Sequence, residues 1–134
     1  MQNCTKNLKL YSVITFMLNI LLVLNILFSE YIYSSYFTFV NWYESCGTQF
    51  LAIFIISLPI FLGLWILYYI ISKKYNVKSI GAELSIISAV IFILPLLLDL
   101  SLSDTLITIG AIGGIIVLFI AVFNMVKDFK LLFK

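Results

Sequence analysis

Four long apolar runs constrain this chain more than any motif in it: about Tyr11 to Phe28, Phe50 to Ile71, Ile80 to Leu98 and Leu106 to Val126. At about 1.5 Å per residue, each is long enough to cross roughly 30 Å of hydrocarbon as a helix. A helix pairs its backbone N–H and C=O groups within its own segment, which hydrocarbon demands. The charged residues respect the same boundary. Lys6, Lys9, Lys73, Lys74, Lys78, Lys127, Lys130 and Lys134 lie between or beyond the runs, as do Glu30, Glu44, Asp99, Asp104 and Asp128, while Glu83 falls in the first turn of the third run. Only 10% of the 134 residues are charged and 63% are hydrophobic, against about 25% charged in soluble domains. The expected fold is all-α: a polytopic membrane protein, one integral domain over residues 1–134, built as a four-transmembrane-helix bundle.

The lysines also set a direction. They occupy the N-terminus, the second loop and the C-terminus and are absent from the first and third loops. By the positive-inside rule both termini and the Lys73 to Lys78 loop are cytoplasmic. A periplasm-active reporter fused at Cys46 or Asp104 is therefore expected to be active and one at Asn76 inactive, with activity assayed in whole cells; the opposite pattern would reverse every side-specific statement. The first run exceeds the usual signal-peptide core and "LFSEYIYSS" lacks an A-x-A-like cleavage site, so it reads as a retained anchor.

The first run leads into "SEYIYSSYFTFVNWYES", residues 29–45. As the outer loop between the first two helices, it puts Tyr31, Tyr33, Tyr36, Phe37, Phe39, Trp42 and Tyr43 at the headgroup boundary, an aromatic belt with apolar ring faces and polar tips. The competing reading is a contact surface for another protein, anchored by Tyr36, Trp42 and Tyr43.

Within the runs, small and polar residues carry the information. Gly110 and Gly114 form a G-x-x-x-G with Ala121 on the same face, where another backbone can approach closely. The expected neighbour is the third helix of the same chain, with its Ala82, Ser85 and Ala89; the alternative is an oligomer through helix four. Asn19 is costly in hydrocarbon without a partner, so it is expected to bond to a neighbouring helix. Pro59 and Pro95 deprive the Ile55 and Ile91 carbonyls of their helical donors and predict kinks. Ser79 is placed to cap the third helix.

Chemistry is thinly supplied. Ion-coupled carriers usually hold an ionisable group in the bundle interior, and no such residue is expected inside the spans, which argues against a coupled exporter. There is no His, and Cys4 and Cys46 fall on opposite sides of the membrane under this topology. No P-loop, dinucleotide fingerprint, zinc spacing or nucleophile elbow is present. The expectation is a protein that is not an enzyme, with no cofactor, no metal and no nucleic acid, and with the lipid bilayer as its first partner; the cytoplasmic lysines lie where anionic lipid is nearest.

Lysine without arginine, beside abundant Ile, Phe, Tyr and Asn, suggests an AT-rich coding sequence. In helix count, length and orientation, though in no motif, the chain resembles the small polytopic immunity proteins of bacterial inner membranes. That resemblance implies a binding protein that neutralises a pore-forming or membrane-acting toxin. Two alternatives stand beside it: a membrane-permeabilising effector of the holin or abortive-infection type, with Ser12, Thr15 and Asn19 lining a lumen, and an accessory subunit of a larger membrane complex.

Overall fold

The computed structural model describes residues 2–37, 49–98 and 104–133. Helix one is Gln2–Phe37. Helix two runs without a break through Gln49–Ala52, a π-helical turn at Ile53–Ser57 and Leu58–Tyr75. Helix three is Ile80–Leu98 and helix four Asp104–Leu132. All four are long and apolar enough to cross a membrane, and they pack as one all-α bundle. Helix four lies most extensively against helix one and also contacts helix three, while helix three packs on helix two.

Helix one is twice as long as its apolar run, and this corrects the boundary at Phe28. Residues 29–37, expected in the outer loop, continue the helix. The physical reason is visible in retrospect: no glycine or proline occurs before Gly47, and Leu22, Asn25, Ile26, Ser29, Ile32 and Tyr33 are all buried at helical spacing. Polarity does not end a helix that has another helix to lie against. Tyr33 is therefore not part of a headgroup belt; it is fully buried, whereas Tyr31 on the opposite face is exposed. Helix four likewise overruns its expected end at Val126.

Helix ends follow local chemistry. Ser79 Oγ accepts the Gly81 N–H at 3.2 Å, capping helix three. Helix two stops at Asn76, whose left-handed backbone (φ 51°, ψ 40°) turns its N–H onto the Ser72 carbonyl. Asparagine tolerates that conformation better than most residues. Inside helix two the π turn ends two residues before Pro59, which has no N–H to give to the helix. Outside, Ile109, Ile112, Ile116, Phe119 and Phe123 on helix four are exposed, as expected of a face covered by lipid.

Candidate functional site

The interior polar residues form three layers, each built on helix one. Toward the end where Lys6 and Lys9 stand, Asn19 is 1% exposed and collects the first layer. Its Nδ2 donates to Asp128 Oδ2 at 2.6 Å, and its Oδ1 accepts from Tyr68 Oη at 2.5 Å and from Asn124 Nδ2 at 3.4 Å. One amide thus ties helices one, two and four together. Tyr68 fits there because Gly81 faces it: a Cβ on Gly81 would stand 2.3 Å from the ring. Thr15 turns its hydroxyl to the Tyr11 and Ser12 carbonyls of its own helix.

The second layer joins helices one and two at the π turn. Asn25 Nδ2 donates to the Ser57 carbonyl at 3.1 Å, and Ser29 Oγ lies 3.0 Å from the Asn25 carbonyl and 2.9 Å from Ser57 Oγ. The widened turn presents a carbonyl and a hydroxyl to helix one together. All three side chains are buried.

The third layer contains Glu30 and Tyr33, one turn apart on helix one, both laid over helix four. A Cβ on Gly110 would stand 2.6 Å from the Tyr33 ring, and one on Gly114 would stand 2.2 Å from Glu30 Oε2 and 2.7 Å from the Phe92 ring. The two glycines are seats for helix-one side chains. Tyr33 donates its hydroxyl to the Phe92 carbonyl of helix three, next to the Ile91 carbonyl that Pro95 leaves without a helical donor. Rings of Phe50, Phe61 and Phe92 complete the layer: Tyr33 sits 5.4 Å from Phe50 and 5.5 Å from Phe92, and Phe61 stacks on Phe92 at 6.2 Å.

Two expectations are corrected by these layers. Ionisable residues do lie inside the helices that span, and two of them, Glu30 in helix one and Asp128 in helix four, are partly buried against neighbouring helices. Both belong to the C-terminal parts of their helices, where side chains lean back toward the N-terminus and so toward the bundle's middle. The G-x-x-x-G face is occupied within the chain, as expected, yet its principal neighbour is helix one, with helix three contributing Phe92 and Pro95. Ala121, on the same face, is 2% exposed.

Of the anchors expected in the aromatic stretch, Trp42 and Tyr43 lie outside the described residues, and Tyr36 is described only as part of the helix-one backbone. Cys46 also lies outside them. The described residues hold no group of three or more potential metal ligands. The sequence signal that would have found Glu30 is the i, i+3/i+4 spacing of Asn25, Ser29, Ile32 and Tyr33 around it, read past the point where hydropathy falls.

A groove opens on the bundle's flank between helices two and three, with a volume of about 280 Å³ and an almost wholly apolar lining that includes Leu58, Phe61, Ser85, Ala89, Ile93 and Leu97. It begins one residue past the π turn of helix two. Its polar member is self-satisfied, since Ser85 donates to the Gly81 carbonyl at 2.9 Å.

Fold and interior define a four-span, all-helical membrane protein with layered interhelical hydrogen bonds. Compared with protein-family models, curated proteins and solved structures, the chain matches none.

Proposed function

We propose that this protein acts by binding inside the membrane, as an immunity-type protein of the bacterial inner membrane that neutralises a pore-forming or membrane-acting toxin. The observation that carries the reading is the groove between helices two and three, which is apolar, open at the flank and floored by the small residues Ser85 and Ala89. Small residues at a helix surface admit close approach of a second helix, the usual basis of helix association in lipid. The occupant we assign to it is a transmembrane segment of the toxin. The groove runs from Ser85, short of the middle of helix three, to Leu97 near its end and along Leu58 to Leu62 of helix two, so it extends from mid-bundle into the halves remote from the lysine-bearing 76–79 connection, by the lysine asymmetry the outer half of the bilayer. A toxin arriving from outside meets this half first, together with Tyr36, Trp42 and Tyr43, which remain our candidate anchors at the outer end.

The alternative of a permeabilising oligomer would need Ser12, Thr15 and Asn19 along a lumen; in the single bundle Thr15 and Asn19 are 3% and 1% exposed and Ser12 is half-buried, which favours the binding reading. An accessory-subunit role would use the same groove for a different partner. An ion-coupled role, set aside for want of an interior carboxylate, regains its premise with Glu30.

The test is a protection assay in toxin-sensitive cells against the toxin encoded beside this gene, with membrane fractions immunoblotted. Ala89→Leu is expected to fill the groove and reduce protection at least about tenfold, equivalent to about 1.4 kcal/mol of lost binding, at normal membrane abundance. Full protection by Ala89→Leu would remove the groove from the mechanism. A matching triple change of Tyr36, Trp42 and Tyr43 to Leu keeps apolar area and removes polar tips, so a loss there would assign the outer end. No protection by the wild-type chain, inserted at normal abundance, would overturn the immunity reading.

A further inference from the structure

Glu30 is the one described side chain with a buried polar atom that has no hydrogen-bond partner: its Oε2 is enclosed and unmatched. Every other interior polar layer in the bundle is satisfied by named partners. Evolution of a bundle in hydrocarbon does not retain an unpaired carboxyl for stability, because an unmet buried polar group costs about 1–3 kcal/mol and an unpaired charge far more. Ionisable groups in such positions mark ion and proton sites.

Geometry selects the ligand. Oε2 lies 2.2 Å from the point where a Cβ on Gly114 would stand, and the Phe92 ring is 2.7 Å from that same point. The carboxyl is therefore pressed against the helix-four backbone beside an aromatic edge, with no space on that side for a metal ion or an organic cation. A proton needs none. Depth is consistent with this: Gly114 is eight residues into helix four from Leu106, about 12 Å at the helical rise.

Among the described side chains no other charged group is placed against it. From helix three the neighbour is Phe92 and from helix four Gly114. On its own helix the titratable neighbour is Tyr33, whose hydroxyl is committed to the Phe92 carbonyl. Helix two reaches this layer with Phe50, packed on Tyr33. Lys73, Lys74, Glu83, Lys127, Asp128 and Lys130 stand in the halves of their helices at the opposite end of the bundle, and Asp104, at the first position of helix four, is ten residues, about 15 Å at the helical rise, from Gly114.

We propose that Glu30 is a proton-binding site and that its occupancy controls the seam between helices one and four. With the proton bound, taken from hydronium in the adjoining aqueous phase, the neutral carboxyl stays seated over Gly114. Release of the proton to water leaves a carboxylate that has no counter-charge in the seat, and it moves away toward the aqueous end of helix one, loosening the contact of Glu30 and Tyr33 with Gly114 and Gly110. The site is independent of whether the groove holds a toxin.

The experiment uses the full chain in lipid nanodiscs and dicyclohexylcarbodiimide, an apolar reagent that adds to protonated carboxyls in lipid, with modified peptides identified by mass spectrometry. Labelling at Glu30 is expected, falling by about tenfold or more between about pH 5 and about pH 9, as for a group that loses its proton in that interval. Absence of labelling at Glu30 throughout, or labelling that does not vary with pH, would overturn the proposal. Hydrogen exchange supplies the seam readout: after correction for the intrinsic pH dependence of exchange, amides of residues 28–37 are expected to exchange about tenfold faster at the upper pH in the wild-type chain and at a constant rate in Glu30→Gln, which keeps the neutral shape. A pH-independent wild-type seam would refute the control of helix packing even if labelling occurs.

Discussion

Asn19→Leu is expected to destabilise the bundle by about 2 kcal/mol or more, although it places an apolar residue in an apolar medium. The loss is not one hydrogen bond. Asn19 donates to Asp128 and accepts from Tyr68 and Asn124, so its removal leaves a half-buried carboxylate and a buried hydroxyl without their shared partner. Leaving groups unpaired costs more than the bonds contribute, which makes the effect recoverable by removing the partner as well. In Asn19→Leu combined with Asp128→Leu, at least half of the lost stability should return, a non-additivity expected of residues in one network. Unfolding by SDS titration in mixed micelles, followed by circular dichroism, measures all three proteins. Additive losses in the double variant would mean that Asn19 and Asp128 do not share a network.

Gly114→Val is expected to be as damaging for the opposite reason. The first added carbon would stand 2.2 Å from Glu30 Oε2 and 2.7 Å from the Phe92 ring, and Phe92 is fully buried and cannot move aside. Overpacking at such a site costs about 3 kcal/mol, at the upper end of the usual range. Gly63→Ala is the matched control, because nothing lies within 4 Å of its added carbon; it should be neutral or improve stability by up to about 1 kcal/mol through helix propensity. The same pair of variants separates the two uses of a G-x-x-x-G. Were the face a dimer contact, Gly114→Val would halve the detergent-corrected mass and leave the protomer stable. With the seats filled from helix one, the protomer itself should melt earlier and the mass should not be the quantity that changes.

Both substitutions turn on features of unequal visibility in the sequence. Spans were readable because hydrocarbon imposes one solution on backbone hydrogen bonding, and the start of helix three was readable from its Ser79 cap. Helix one was not, because hydropathy reports where lipid ends and not where a helix ends. Residues 29–37 stay helical since Ser29, Ile32 and Tyr33 have a neighbouring surface to cover, and that surface belongs to residues 50 to 114, far along the chain.

The amino-acid sequence by itself determined the solvent, the number of crossings, the shared side of the two termini with the 76–79 connection and, through the lysines, the expected direction, because each follows from local hydropathy and charge. It also marked Asn19, Gly110 and Gly114 as packing positions, since polar and small residues are conspicuous in an apolar run. Only the tertiary structure decided what meets them: Asp128 and Tyr68 at Asn19, Tyr33 at Gly110, Glu30 at Gly114. Those pairings depend on how helices rotate and slide against one another, which is set by the fit of many side chains at once. Glu30 is the sharpest case, reading as an outer-loop acid in sequence and becoming a half-buried carboxyl with one oxygen enclosed once helix one lies along helix four.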